Sequence, residues 1–203
     1  KSSTSRNCGV AGGRAIARKL ENLIMSKLTY ADRQAAFTGF TVAKIGEALA
    51  TAQANKMDPA TCVVVLTPAI YGKLLDANTA NAAITGDDIA AALGRKYGCK
   101  AILSSAETSD LSAETTHKGA GFIVPDAAVA VAGRGIEQAV EGMYSEYGTT
   151  TDEGSGLTVT SFVHGTTAQN KRYMNVAALL GAKLTRNADG SNKAPGYLQL
   201  VTA

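Results

Sequence analysis

The stretch "CVVVLTPAIYGKLL", residues 62–75, decides the fold class of this chain. Its first five residues are apolar, as in a buried strand, and Pro68 suits the first turn of a helix because that position needs no amide donor. The pattern predicts a strand that passes directly into a helix, with Thr67 as the helix cap. A nucleotide-binding enzyme would place glycines at such a joint, because backbone amides there must reach phosphate oxygens. This joint has no glycine, which argues against a phosphate loop.

The composition is that of a globular chain without a marked charge bias. Hydrophobic residues make up 45% and charged residues 18% of the 203 residues, which is enough to bury a core. The net charge of +3 is too small to indicate a dedicated nucleic-acid or anionic-membrane binder. Cys62 and Cys99 lie beside apolar runs, where reduced thiols pack as small hydrophobes. No apolar stretch approaches the ~20 residues that span a bilayer, so we expect a soluble intracellular protein.

Helical and strand patterns flank the opening stretch on both sides. The helical patterns cover residues 12–28, 40–56 and 86–98, and Asp87-Asp88 is suited to the positive end of the last helix dipole. Short apolar or alternating runs predict strands at 100–104, in two pieces hinged at Pro125-Asp126, and at 157–163, 175–186 and 197–203. Residues 105–119 are rich in Ser, Thr and acidic side chains, which predicts an exposed loop. The segment 136–147 fits a helix and a ribbon equally well.

The glycine motifs do not match those of nucleotide-binding sites. "GVAGGRAIA" at 9–17 places glycines before a helix pattern, but it lacks the lysine and hydroxyl pair of a P-loop and no strand precedes it. We interpret these glycines as a helix entry. "GRGIEQAVEG" at 133–142 lacks the third glycine of a dinucleotide fingerprint and is better interpreted as a turn.

The polar residues form no recognisable catalytic or metal-binding motif. His117 and His164 lie in unlike contexts without companions at ligand spacing, and Cys8 is interpreted as an incidental thiol. The adjacent acids Asp87-Asp88 and Asp152-Glu153 diverge in direction, which favours a cap and a solvated turn. The basic steps Arg95-Lys96 and Lys171-Arg172 favour solvated faces, although either could touch a phosphate backbone. We therefore predict no catalytic, cofactor-binding or metal site, no cofactor, and a protein that is not an enzyme.

The order of the elements carries a family resemblance. "CVVVLTPAIYGKLLDAN" at 62–78 resembles the strand, proline and helix that lead into the axial domain of HK97-like major capsid proteins of tailed bacteriophages. "RKYGCKAILSS" at 95–105 and "GAGFIVPDAAVAVAGR" at 119–134 resemble later strands of that domain, and "MNVAALLGAKLTR" at 174–186 resembles a late peripheral strand. "RAIARKLENLIMS" at 14–26 is similar to the end of the spine helix. The family's N-terminal arm and extended hairpin are not found, so we expect a fragment or a reduced member with residues missing upstream of Lys1.

The resemblance implies an α+β fold with an inserted domain. The peripheral domain, a spine helix plus an antiparallel sheet, would comprise residues 1–67 and 136–203, and a mixed α/β axial domain would comprise residues 68–135. On the helix at 12–28, the apolar stripe of Ile16, Leu20, Leu23 and Ile24 would pack inward. The charged residues Arg14, Arg18 and Glu21 would then lie at a subunit interface.

The implied function is that of a structural subunit that self-assembles into an icosahedral shell. Its partners would be copies of itself in hexamers and pentamers, with scaffold, protease and portal proteins and with double-stranded DNA held non-specifically inside, and no membrane. Its location would be the virion capsid, of a phage or prophage, and the host bacterial cytoplasm during assembly. Two alternatives stay open: an encapsulin-type nanocompartment, which uses a similar fold around an enzyme cargo, and a small α/β enzyme with a dispersed site.

Overall fold

The protein has an α+β fold. A computed structural model describes residues 3–28, 34–79, 89–105, 118–137, 144, 146–151, 156–166, 171–185 and 198–202. The predicted cap at Asp87-Asp88, the acids Asp152-Glu153, His117 and all but the ends of the 105–119 loop lie outside these residues.

Four α-helices and ten strands are described. The helices are α1 (Ser3–Met25), α2 (Val42–Ala54), α3 (Pro68–Thr79) and α4 (Ile89–Tyr97). The strands are β1 (Gln34–Ala36), β2 (Cys62–Leu66), β3 (Ala101–Ser104), β4 (Lys118–Pro125), β5 (Val129–Arg134), β6 (Glu146–Thr151), β7 (Thr158–Thr166), β8 (Lys171–Ala177), β9 (Leu179–Leu184) and β10 (Leu198–Thr202). A single 3-10 turn, Pro59–Thr61, leads into β2.

The contacts divide the chain into two compact units, each made of two chain segments. The first, which we call the three-stranded unit, comprises Lys1–Ile24 and Val131–Lys183. The second, the five-stranded unit, comprises Met25–Ala130 and Leu184–Ala203. The division into domains at 67/68 and 135/136 rests on the family resemblance and stays a prediction.

The five-stranded unit is built on a mixed sheet with the order β1-β10-β4-β2-β3. The pairs β1·β10 and β2·β3 are parallel, and β10·β4 and β2·β4 are antiparallel. Burial alternates along β2, where Cys62, Val64 and Leu66 are buried and the two valines between them are half-buried. The core around this strand includes Phe37, Ile45, Leu49, Leu74, Leu93, Ile102, Ile123, Leu198 and Leu200.

The joint between β2 and α3 is an architectural corner fixed by backbone hydrogen bonds. The amide of Thr67 donates to the Ala120 oxygen on β4 at 3.0 Å. The Thr67 oxygen accepts from the amides of Ile70 and Tyr71, at 3.1 and 2.9 Å, which is the position of a helix N-cap. The predicted strand, the Thr67 cap and the helix that begins at Pro68 are therefore confirmed.

The predicted helix entry at the first glycines is wrong. Helix α1 begins at Ser3, so Gly9, Gly12 and Gly13 lie inside the helix. A Cβ added at Gly12 would lie 2.8 Å from Cγ2 of Val176 on β8, which is closer than such atoms can approach. The missing side chain at Gly12 therefore permits the close approach of α1 to β8, and this packing outweighs the low helix propensity of glycine.

The three-stranded unit combines α1 with a sheet of order β6-β7-β8 in which both pairs are antiparallel. Strands β5 and β9 form a separate two-stranded sheet. The predicted strand at 157–163 is confirmed within β7, and the single predicted strand at 175–186 is instead divided between β8 and β9, with Ala178 between them.

Candidate subunit interface

Helix α1 presents its charged residues on its exposed side. Arg14, Arg18 and Glu21 follow the i, i+4, i+7 spacing of one helix face, and all three are exposed. The apolar residues predicted to pack inward are half-buried: Ile16, Leu20, Leu23 and Ile24. The amphipathic helix is thus confirmed, and the role of its charged face in contacts between subunits stays a prediction.

The sheet β6-β7-β8 has two faces that differ in chemistry. Residues directly opposite one another share a face, and the register aligns Tyr147, Phe162 and Asn175 on one side, followed by His164 opposite Tyr173. We call this side the aromatic face. Val163, Met174 and Val176 alternate to the other side, which we call the helix face because Val176 meets α1 at Gly12.

Ring contacts order the side chains of the aromatic face. The centroids of Tyr144 and Phe162 lie 4.5 Å apart, and those of Tyr144 and Tyr147 lie 6.5 Å apart in a stacked arrangement. The rings of His164 and Tyr173 are stacked with their centroids 5.4 Å apart, and Nδ1 of His164 lies 3.1 Å from the side-chain nitrogen Nδ2 of Asn175. His164 is therefore held within the sheet by its contacts with Tyr173 and Asn175.

The chain that follows β5 is hydrogen-bonded to the aromatic face through the backbone of Ile136. Its amide donates to Oγ1 of Thr160 at 2.8 Å, and its oxygen accepts from the Tyr147 hydroxyl at 2.6 Å. Thr160 is completely buried, so this hydroxyl needs the partner that Ile136 supplies. These bonds fix the position of Tyr147 on the exposed strand β6.

A salt bridge joins the two outer strands, β6 and β8, near the residues at which they begin. Nη2 of Arg172 lies 3.1 Å from Oε1 of Glu146, and both side chains are about two-thirds exposed, at 67% and 68%. The residue of β7 opposite Arg172 is Gly165, which has no side chain between the outer strands. An exposed pair of this kind contributes only ~0.2–1 kcal/mol to stability. Its two residues lie near the beginning of their strands, so β6 begins with an acidic side chain and β8 with basic side chains.

Exposed large apolar side chains are concentrated in the three-stranded unit. Five of the eight in the described part of the chain belong to it: Val131, Tyr147, Tyr173, Met174 and Leu179. By contrast, every buried hydrophobic side chain that the structure describes belongs to the five-stranded unit. The three-stranded unit thus exposes five large apolar side chains and leaves others, such as Phe162 and Val176, half-buried.

The thiols of Cys62 and Cys99 are buried and unoxidised in the five-stranded unit, as predicted. Burial, followed by the charge of Asp58, raises the pKa of Cys62, whose thiol donates to the Asp58 backbone oxygen at 3.2 Å. Burial and the neighbouring Cys62 raise the pKa of Cys99 to about 11. Both thiols are therefore neutral and poorly nucleophilic near neutral pH.

The basic steps of the sequence are placed on exposed surfaces. Arg95 and Lys96 are exposed in the last turn of α4, and Nζ of Lys96 donates to the buried Oδ1 of Asn78 on α3. Asn78 in turn donates to the Leu74 oxygen at 2.7 Å, so Lys96 helps to join α3 and α4. The predicted solvated faces are confirmed for Arg95 and Arg172.

Two further observations concern the described residues alone. They contain no group of three or more His, Cys, Asp or Glu side chains arranged to hold a metal ion. None of their helices combines the length and the apolar character needed to cross a membrane.

Sequence reasoning missed the exposed apolar residues of β6 and β8. The segment 136–147 fitted a helix as well as a ribbon, and the run of threonines from 149 to 151 has no apolar alternation. Tyr147 beside this β-branched run is the signal that could have indicated the strand.

Comparisons with known proteins give one structural similarity. No protein-family model and no curated protein matches the chain. A chain in the capsid structure of the cyanophage P-SCSP1u is similar, with a TM-score of 0.46 and 16% sequence identity. The match covers 100% of this chain and 66% of that chain, so this chain spans slightly less than two thirds of the length of its neighbour. A likeness of this degree assigns neither a family nor a function.

Proposed function

We propose that this chain is a structural subunit of an HK97-like shell of a tailed phage or prophage, and that its role is repeated contact with copies of itself. The observation that carries the proposal is the apolar surface exposed on the sheet β6-β7-β8, where Tyr147 and Tyr173 on the aromatic face and Met174 on the helix face are each about 40% exposed. A monomer gains little from such a surface, whereas contact with a neighbouring copy would remove it from water.

The order of the elements supports the same proposal. Strand β2, the corner at Pro68, and strands β3 and β4 follow one another as the resemblance to the capsid family implies. In this proposal, residues 68–135 form the axial domain and residues 1–67 and 136–203 the peripheral domain. Helix α1 is the end of the spine helix, with Arg14, Arg18 and Glu21 facing a neighbouring copy.

The proposed partners follow from the role of a shell. Hexamers and pentamers of this chain would enclose double-stranded DNA, with scaffold, protease and portal proteins acting during assembly in the bacterial cytoplasm. The modest net charge of +3 suits a wall that holds DNA without reading its sequence. An encapsulin-type shell would form the same contacts between copies but would enclose a cargo enzyme.

Electron microscopy of negatively stained, concentrated protein tests the proposal, with light scattering to follow association. We expect rings or closed particles whose number increases with concentration. Nuclease-protected DNA in particles purified from the source would support the phage shell, and an enclosed enzyme would support the nanocompartment. A chain that remains monomeric and turns over a substrate would contradict both.

A further inference from the structure

The outer strands of the three-stranded sheet run in the same direction. Strands β6 and β8 are each antiparallel to β7 and are therefore parallel to one another. They have six and seven residues, respectively, and among the described residues each is an edge strand of this sheet. Edge strands present backbone amides and carbonyls on which another chain can form a ladder.

We propose that β6 of a second copy of this chain adds to the outer edge of β8 in a parallel ladder, so that the sheets of successive copies join head to tail. The inference rests on the proposed shell function and names the contact through which copies meet. It is a case of strand addition, in which backbone hydrogen bonds supply affinity and flanking side chains supply specificity.

Charge favours this pairing over the alternatives. Strand β6 begins with Glu146, and β8 begins with Lys171 and Arg172. In a parallel ladder with aligned starts, the acidic residue of one copy lies beside the basic residues of the next. Two copies of β6, or two of β8, can pair about a two-fold axis only in the antiparallel direction, and each charged start then meets an uncharged strand end. Only the head-to-tail pairing brings opposite charges together.

The side chains of β6 also favour addition. All six residues of β6 are exposed, and from Tyr147 to Thr151 the strand contains no charge and no proline. Lysine and proline are the usual devices that prevent an edge from accepting another strand, whereas tyrosine and threonine favour strand formation. On β8 the exposed residues are Arg172, Tyr173 and Met174, at the end that would receive the acidic start of β6.

A head-to-tail contact has a consequence for assembly. The two surfaces that meet are different, so every added copy leaves one β6 edge and one β8 edge available. Such a contact closes into a ring when its rotation permits and otherwise continues as a filament. Ring closure is what a subunit of hexamers and pentamers requires.

Two charge-reversal variants can separate the proposed contact between copies from the Glu146–Arg172 salt bridge within one chain. Each variant is tested alone, and then the two are mixed. Glu146→Lys and Arg172→Glu each place like charges both within the chain and at the proposed contact. In an equal mixture, however, alternating copies restore an opposite pair at every contact of a six-membered ring, and at all but one contact of a five-membered ring, while the pair within each chain stays broken. Glu137→Lys and Arg95→Glu make the same changes at other exposed positions and serve as controls.

We expect each single variant to remain folded by circular dichroism and to need about tenfold more protein for half-maximal association, because a repulsion replaces an attraction at every contact of a ring. The equal mixture should form six-membered rings as the parent does, and the controls should not differ from the parent. Single variants that associate like the parent, or a mixture no better than either variant alone, would overturn the strand addition only. A parent that never associates would overturn the proposed function as well.

Discussion

Gly121 of β4 lies against the backbone oxygen of Val65 on β2: a Cβ added at Gly121 would be 2.0 Å from that oxygen. Gly121 has a φ of +154°, a conformation that side chains rarely adopt. It borders the irregularity at which the pairing shifts from Leu200–Gly121 to Val201–Gly119. One glycine thus joins the antiparallel ladder with β2 to a bulged ladder with β10.

Gly121→Ala should therefore lower the free energy of unfolding by about 3 kcal/mol or more, because it combines a backbone clash with a strained φ. Urea unfolding measures the loss. Gly46→Ala is the matched control, since Gly46 lies in α2 with open space around its Cα. That control should raise stability by about 0.5–1 kcal/mol. Equal effects from the two substitutions would show that the contact at Gly121 is not as described.

Val64→Asp tests the core strand. Val64 is 1% exposed, so the new carboxylate must lose its hydration or take up a proton. We expect a loss of about 3 kcal/mol or more, measured by thermal or urea unfolding. Val131→Asp makes the same change on β5, where the side chain is 38% exposed, and should cost much less. A melting temperature of Val64→Asp near that of the parent would remove β2 from the core.

Because the Cys99 thiol is buried, we expect the protein to lose stability in alkali. Burial raises its pKa from 9.0 to about 11, so folding favours the neutral thiol. The resulting contribution is fully present below about pH 9 and is lost as the pH rises through about 11. In reducing buffer, Cys99→Ala should therefore show a shallower alkaline decline of its urea midpoint than the parent. Parallel curves for the two proteins would contradict the assignment.

The predictable part of the fold is the part that depends on neighbours in sequence. The apolar run 62–66, the proline after Thr67 and the buried thiols were all evident from local chemistry. The pairing of β10 with both β1 and β4 was not, because hydrogen bonding between distant segments leaves no period in the sequence. The exposed residues of β6 were missed for a similar reason, since their strand is fixed by Ile136 and Phe162.

The sequence predicts where the charged face of α1 lies on the helix, but it does not show what that face contacts. The spacing of Arg14, Arg18 and Glu21 determines that they share a helix face, whichever molecule they contact. The start of the helix could not be predicted, because one of the glycines that suggested a boundary, Gly12, instead lets α1 approach Val176.

Reversal of Arg14 and Arg18 to Glu tests the role of this face in assembly. The double variant should remain folded but assemble less than the parent at low salt, because each exposed contact is worth ~0.2–1 kcal/mol and is repeated around the shell. The defect should diminish as added salt screens the charges. Light scattering with circular dichroism measures both. Lys73→Glu with Arg95→Glu is the matched control in the five-stranded unit. Normal assembly of the Arg14 and Arg18 variant at low salt would exclude this face from the contact.

If this chain functions by association with itself, the mass of single particles in solution must increase with protein concentration. As the protein concentration is raised, we expect discrete species at five and six times the 20.8 kDa of the chain, followed by much larger closed particles. A single species at 20.8 kDa at every concentration would show that the chain does not associate with itself.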